Sequence, residues 1–216
     1  MDTHLGNIAM VEGQIKPLSG ISPKILEALY LIDRKDFVPE NMKDFSYTEK
    51  NINIEKNRYL LKPAITAKLL SSLNIKNNET ILIIGSATGY SAAIISKIAE
   101  TVICIEENKN LMHFSENITV KNSINNIVFI NNELNKGYLE QGPYSCILIE
   151  GAIEEIPQII LDQLSEEGRL VTVVLKDEMG SAIRYYKKNN EIINQFLFSI
   201  EVPELESFKK MNKFKF

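Results

Sequence analysis

The chain has 216 residues, of which 44% are hydrophobic and 24% are charged, and its formal net charge is −4. These values are ordinary for a globular protein, and the small negative charge argues against bulk binding to nucleic acid or to an anionic membrane. The two cysteines lie in separate apolar runs, where we expect both to be buried, and the two histidines lack ligand spacing, which disfavours a metal site. The N-terminus lacks a signal-peptide pattern and no apolar run approaches the roughly 18 residues of a membrane helix, so we expect a cytoplasmic protein.

The first third of the chain is predicted to be helical. A helix is predicted over residues 22–32, where a serine N-cap precedes Pro23 and apolar residues recur on one face. A second helix is predicted to begin at Pro63. We therefore expect residues 1–78 to form an N-terminal helical segment packed on a core of residues 79–216, in one compact unit.

From residue 79 onward, apolar strands alternate with helices. Strands are predicted at about 80–85, 101–106, 127–130, 145–150 and 168–175. Helices are predicted between them at about 89–99, 108–122 and 157–164. This alternation indicates an α/β fold with a doubly wound, Rossmann-like, mostly parallel sheet. Residues 191–216 are predicted to add two strands in an antiparallel hairpin at one sheet edge, ending in a terminal strand whose lysines face solvent.

A short glycine-containing loop follows the first strand of this core. The stretch "ETILIIGSATGYSAAIIS" (79–96) predicts a strand, a tight turn and a helix, and ligands bind at such carboxyl ends of strands. A dinucleotide fingerprint would need glycine where Ala87 and Tyr90 stand, which disfavours NAD and FAD. The spacing of Gly85 and Gly89 fits better the looser loop of S-adenosylmethionine-dependent methyltransferases. The predicted cofactor-binding residues of this loop are Gly85, Ser86, Ala87, Gly89 and Tyr90.

A carboxylate ends the next predicted strand. Glu106 stands there, about 20 residues beyond the loop, where an acidic side chain can accept hydrogen bonds from both hydroxyls of a ribose. The alternative is that Glu106 or Glu107 merely begins the following helix, where an acid interacts favourably with the helix dipole.

Six blocks of the sequence, in order and at similar spacing, resemble the protein-L-isoaspartate O-methyltransferase family. They are "MVEGQI" (10–15), "ILEALYLIDRKDFVPE" (25–40), "RYLLKPAITAKLL" (58–70), "ILIIGSATGYSAA" (81–93), "VICIEEN" (102–108) and "EIPQIILDQLSEEGRLV" (155–171). The resemblance implies methylation of isoaspartyl carboxylates in damaged proteins by S-adenosylmethionine, which leaves S-adenosylhomocysteine. It also implies a protein or peptide substrate and an N-terminal segment that helps close the active site.

The chain departs from the family pattern at several site positions. Leu61 stands where the family carries a serine implicated in catalysis, and Ile83 and Ala87 replace the acid and the middle glycine of the loop. Asn132 replaces an aspartate that contacts the adenine amine, and its amide oxygen could still accept that hydrogen bond. We therefore expect weak or absent activity on isoaspartyl peptides. Two alternatives remain open: a different methyl acceptor, or an inactive descendant that serves as a cofactor-binding or scaffold protein.

One departure adds a functional group. Glu150 ends the predicted strand 145–150, where the family usually has no acid. Such a carboxylate is predicted to project near the transferable methyl group, as a base or a substrate contact. The alternative is a solvated residue at a strand end.

Overall fold

The fold is built on a seven-stranded mixed β-sheet, seen in a computed structural model that describes residues 4–176 and 179–209. A separate two-stranded sheet precedes it, formed by β1 (Ile52–Glu55) and β2 (Arg58–Leu60). The strands of the main sheet are β3 (Thr80–Ile84), β4 (Thr101–Glu106), β5 (Ile127–Asn131), β6 (Tyr144–Ile153), β7 (Leu164–Lys176), β8 (Met179–Lys188) and β9 (Glu191–Ser199). Their spatial order is β5-β4-β3-β6-β7-β8-β9, parallel from β5 to β7 and antiparallel from β7 to β9. This order confirms the predicted doubly wound sheet with an antiparallel C-terminal hairpin.

Six α-helices accompany these strands in the described residues. They are α1 (His4–Met10), α2 (Pro23–Leu31), α3 (Pro63–Ser72), α4 (Tyr90–Ser96), α5 (Lys109–Lys121) and α6 (Gln158–Leu161), and a π-helical turn (Val11–Ile15) continues α1. Prolines begin α2 and α3, where the missing N–H costs no intrahelical hydrogen bond. Within residues 4–176 and 179–209, no helix has the length and apolar character needed to cross a bilayer.

The apolar core lies on both faces of the main sheet. Ile81 and Ile83 of β3 pack in the cluster shared with the N-terminal helices, whereas Leu82 and Ile84 pack in a second cluster on the opposite face. Successive strand residues point to opposite faces, so strands covered on both sides are continuously apolar. Both cysteines are buried as expected, Cys104 in β4 and Cys146 in β6.

The prediction for the C-terminal region was wrong in its boundaries. The edge hairpin pairs β8 with β9, and β8 was not predicted because its sequence, "MGSAIRYYKK", mixes polar with apolar residues. Ser207–Lys209, at the start of the predicted terminal strand, form no strand, since a 3-10 turn covers Glu206–Phe208. The remainder of that predicted strand, 210–216, lies outside the described residues.

After β9 the chain crosses the carboxyl end of β6. We call residues 202–209 the C-terminal strap. The Ala152 N–H donates to the Pro203 carbonyl at 2.9 Å, and the Leu205 N–H donates to the Ala152 carbonyl at 2.8 Å. Val202, Leu205 and Phe208 are buried. The strap therefore lies over the same edge of the sheet as the loop after β3.

Candidate active site

The loop between β3 and α4 is a tight turn tied to the neighbouring strand. The N–H groups of Gly85 and Ser86 both donate to the Ile105 carbonyl, at 2.9 and 3.3 Å. Gly85, Ala87 and Gly89 have φ values of 78°, 51° and 83°, in the left-handed region. Glycine adopts this conformation without strain, but Ala87 adopts it at a cost of roughly 1–2 kcal/mol. The loss of the middle glycine thus leaves the turn intact at an energetic cost.

Glu106 lies directly beside this loop. Its side chain is fully buried, and it accepts hydrogen bonds from the Ala87 N–H at 2.9 Å and the Asn108 N–H at 3.1 Å. Asn108 is the N-cap of α5, which begins at Lys109, so Glu106 belongs to the strand and not to the first turn of the helix. The carboxylate is therefore placed at the loop, as the ribose hypothesis requires.

An arginine that the sequence analysis missed binds this carboxylate. Arg58, from β2, donates from Nη1 to Glu106 Oε1 and from Nη2 to Glu106 Oε2, both at 2.8 Å, and from Nη2 to the Gly85 carbonyl at 3.0 Å. Such planar, bidentate pairs are the strongest ion-pair geometry available to a carboxylate. Burial raises the pKa of Glu106 above its ordinary value, and the Arg58 charge opposes that rise.

The C-terminal strap closes over the same place. Leu205 packs so tightly on Gly151 that a Cβ added there would lie 2.5 Å from Leu205 Cγ, and its Cδ1 also approaches Gly85. Asn57 Nδ2 donates to Glu206 Oε1 at 2.7 Å. The cavity left between Arg58, Leu205 and their neighbours has a volume of about 160 Å³, below the roughly 300 Å³ at which small-molecule pockets begin.

Glu150 and Leu61 lie together beside the strap. They line a narrow cavity of about 10 Å³ that Tyr59 and Leu205 also border. Leu61 is 2% exposed, and its carbonyl accepts from Arg34 Nη2 at 2.6 Å. Leu61 therefore supplies an apolar wall beside the Glu150 carboxyl group, where the family serine would supply a hydroxyl.

Glu150 is buried, and β6 continues past it to Ile153, so the alternative of a solvated strand-end residue is wrong. Its Oε1 accepts from Ser91 Oγ at 2.5 Å, and its Oε2 has no hydrogen-bond partner among the described residues. Burial raises the pKa of Glu150 to about 7, against the opposing effects of the Ser91 hydroxyl and the charges of Arg58 and Arg34. A carboxyl group in this state exchanges a proton near neutral pH.

Tyr90 is placed in the core beneath the site. It is fully buried, its ring packs on Phe37 at 5.6 Å between centroids, and the Arg34 guanidinium lies 4.9 Å from the ring centre. Arg34 is fully buried too, and its Nε donates to the Ser46 carbonyl at 2.8 Å. These contacts give Tyr90 a role in joining the N-terminal segment to α4.

The other predicted cofactor residues occupy two different environments. A Cβ on Gly89 would approach Ser115 at 3.2 Å and Phe129 at 3.4 Å, so the space beside Gly89 is filled by α5 and β5. A side chain at Gly89, one of the predicted cofactor-binding residues, would therefore meet these two elements of the fold. Ser86 is buried in the loop, and Asn132 follows β5, where its Nδ2 donates to the Gly137 carbonyl at 2.8 Å.

The sequence pattern of the family protein-L-isoaspartate(D-aspartate) O-methyltransferase (PCMT) matches residues 7–202. The chain belongs to this family. Among PCMT relatives, the protein-L-isoaspartate O-methyltransferase of Helicobacter pylori (strain G27) is 31% identical over 173 residues, which cover 80% of this chain and 82% of the relative. Protein-L-isoaspartate O-methyltransferase 1 of Syntrophobacter fumaroxidans is 33% identical over 165 residues, 76% of this chain and 77% of the relative.

Solved structures agree in fold. A putative protein-L-isoaspartate O-methyltransferase from Plasmodium falciparum, in complex with S-adenosyl-L-homocysteine, has a TM-score of 0.78 at 22% identity over 95% of this chain and 98% of that chain. A second protein-L-isoaspartate O-methyltransferase structure has a TM-score of 0.79 at 20% identity, over 94% of this chain and 66% of that chain. PCMT membership confirms the family predicted from the sequence and, with it, the methyltransferase class and its cofactor, S-adenosylmethionine.

Proposed function

We propose that this chain is an S-adenosylmethionine-dependent methyltransferase of the PCMT type that acts on a protein or peptide in the cytoplasm. The observation that carries the proposal is the Glu106 carboxylate, held beside the Gly85–Gly89 turn by the Ala87 N–H. The turn would contact the methionine part of the cofactor, Glu106 would accept from the ribose hydroxyls, and Asn132 would lie toward the adenine. When bound, the cofactor supplies an electrophilic methyl group.

The chain's contribution to such a reaction is positioning. An isoaspartyl carboxylate is already ionised at neutral pH, so it needs no general base. The rate of methyl transfer to it depends on alignment of the reacting groups and on exclusion of water. Leu61 contributes shape but no hydrogen bond to that carboxylate. Ionised Glu150, in the same cavity, would repel it. We therefore propose that turnover of isoaspartyl peptides is slow.

One observation favours a second candidate acceptor, a neutral amine, amide or hydroxyl. Glu150 Oε2 lacks a hydrogen-bond partner among the described residues and borders the cavity with Leu61. As the new bond to the methyl carbon forms and the carbon–sulfur bond breaks, the acceptor's proton would pass to Glu150. A carboxylate with a pKa of about 7 suits this role at neutral pH. For this acceptor, the rate would rise as the pH increases through about 7.

Calorimetric titration with S-adenosylhomocysteine, together with methyl transfer to an isoaspartyl peptide, tests the proposal. We expect binding in the wild type and binding weakened by about 1.5–3 kcal/mol in Glu106→Gln, the scale of hydrogen bonds to a charged group. We expect Leu61→Ser, but not the control Leu61→Ala, to increase isoaspartyl methylation. If cofactor binding is detected in no variant, the chain is a scaffold and the proposed activity is wrong.

A further inference from the structure

We infer that Arg58 and the C-terminal strap form an internal competitor for the cofactor cleft, which must leave Glu106 and Gly85 before the cofactor binds. This inference rests on the proposed function, because it assigns the cleft to S-adenosylmethionine. It adds a conformational step whose participants are residues of this chain.

The first argument is the hydrogen-bonding capacity of Glu106. An ionised carboxylate offers about four acceptor positions, two on each oxygen. Arg58 Nη1 and the Asn108 N–H occupy Oε1, while Arg58 Nη2 and the Ala87 N–H occupy Oε2. All four positions are therefore filled from within the chain. Ribose hydroxyls can donate to this carboxylate only where Arg58 withdraws, because the two backbone donors are fixed by the turn and by the N-cap of α5.

The second argument is volume. Leu205 lies over Gly85 and Gly151, the two residues without side chains at the end of β3 and within β6. The two cavities that Arg58 and Leu205 both border have volumes of about 160 and 10 Å³, and a larger cavity of about 440 Å³ beside Val202 and Pro203 is lined by neither of them. Neither cavity at Arg58 reaches the roughly 300 Å³ of small-molecule pockets, so a nucleoside cofactor bound at Gly85 and Glu106 requires Leu205 to move.

The third argument is that Arg58 and the strap are connected to each other. Asn57, the neighbour of Arg58, donates to Glu206 at 2.7 Å. Arg58 Nη2 and Leu205 Cδ1 both approach the Cβ position of Gly85, at 3.3 and 3.5 Å. Because the two groups share a contact surface and a hydrogen bond, displacement of one exposes the other. We infer that they open together.

The strap is suited to opening because it is held locally. Its backbone is joined to the sheet through Ala152, and Ser207 Oγ donates to the Glu107 carboxylate at its exposed end. Segments with few backbone hydrogen bonds and few buried apolar side chains open at a lower free energy than core strands, and the strap has two such bonds to the sheet and three buried apolar side chains. If the closed form dominates, the apparent dissociation constant of the cofactor equals the intrinsic constant divided by the fraction of molecules whose strap is open. Cofactor binding is then weaker than the open site alone would give.

The experiment uses a single tryptophan as a reporter, since the chain contains none. In Phe208→Trp the fluorophore replaces a buried ring of the strap, and Phe196→Trp, on the exposed face of the edge strand β9, is the control. Titration with S-adenosylhomocysteine should shift the emission of the Phe208→Trp variant to longer wavelength and raise its quenching by acrylamide, because an open strap exposes the tryptophan to water. The midpoint of this change should equal the midpoint of the calorimetric titration. The emission of the Phe196→Trp variant should not change.

A second variant measures the competition itself. Leu205→Ala removes most of the strap's side-chain contact and should tighten S-adenosylhomocysteine binding about tenfold or more, whereas the exposed control Leu31→Ala should bind like the wild type. Detectable binding of S-adenosylhomocysteine by Leu205→Ala but not by the wild type would also support the inference. Normal binding with no change in strap emission and no gain in Leu205→Ala would overturn the inference and leave the proposed function standing. Absence of binding in folded wild type and Leu205→Ala alike would overturn both.

Discussion

Removal of the Arg58 guanidinium should destabilise the fold strongly. Arg58→Met keeps most of the side-chain length but leaves the Glu106 carboxylate, which is fully buried, without its cation. Breaking a buried ion pair costs about 3–5 kcal/mol, because the remaining charge is uncompensated. Glu106 would retain its bonds from the Ala87 and Asn108 N–H groups. We therefore expect the lower end of that range, about 3 kcal/mol.

The measurement is urea denaturation followed by far-ultraviolet circular dichroism, since the chain has no tryptophan. The matched control is Lys16→Met, which breaks the exposed pair between Lys16 and Glu12 and should leave the midpoint unchanged. In a Glu106→Gln background, Arg58→Met should cost less, because no buried charge is left behind. If Arg58→Met proves as mild as Lys16→Met, the buried bidentate pair does not exist in solution.

Three further predictions concern single residues of the site. Glu150→Gln should flatten the pH dependence of the unfolding free energy. The pKa of Glu150 is about 7 in the folded protein and 4.5 ordinarily, so the folded state is stabilised by the protonated carboxyl group below pH 4.5, and this stabilisation is lost as the pH rises through 7. Between about pH 5 and 8 the wild type should lose about 2–3 kcal/mol of unfolding free energy relative to that variant, and equal slopes would contradict the buried placement. Ala87→Gly should raise the free energy of unfolding by up to about 1 kcal/mol in urea, because φ is 51° there; a decrease would argue against the left-handed turn. Gly89→Ala should lower the free energy of unfolding by about 1–2 kcal/mol through backbone strain and the approach to Ser115, and an unchanged midpoint would refute that geometry.

The alternating core was predictable because its signals are local. Each parallel strand is a short apolar run, and burial on both faces makes such runs continuous. β8 carried no such run, since several of its residues lie half-exposed near the sheet edge, and it was missed. Only the end of the strap, residues 207–209, was predicted as strand, because the sequence of this region does not reveal that the chain crosses the end of β6 instead of pairing along an edge.

The placement of site residues was likewise predictable only where a local sequence signal marks them. Glu106 ends its strand at a spacing from the loop that the sequence displays, and the structure places it beside that loop as expected. Arg58 lies 48 positions from Glu106 in the chain and in a three-residue strand, so no periodicity or motif connects the two. Glu150 was located, but its burial depends on the overlying Leu61 and strap, which are brought there only by the tertiary fold.

The hydrogen bond from Arg34 to the backbone of Leu61 has a consequence for which substitutions can occur at the site. Arg34 binds residue 61 through the backbone carbonyl, which every amino acid presents in the same way. An exchange of the side chain at this position, serine for leucine or the reverse, therefore keeps this hydrogen bond to the N-terminal segment, while a serine gives up the apolar contacts that Leu61 makes in the core. If the proposed function holds, a single substitution at Leu61 changes the wall that faces the methyl acceptor, while the bond from Arg34 continues to join the N-terminal segment to the site and the apolar core bears the cost.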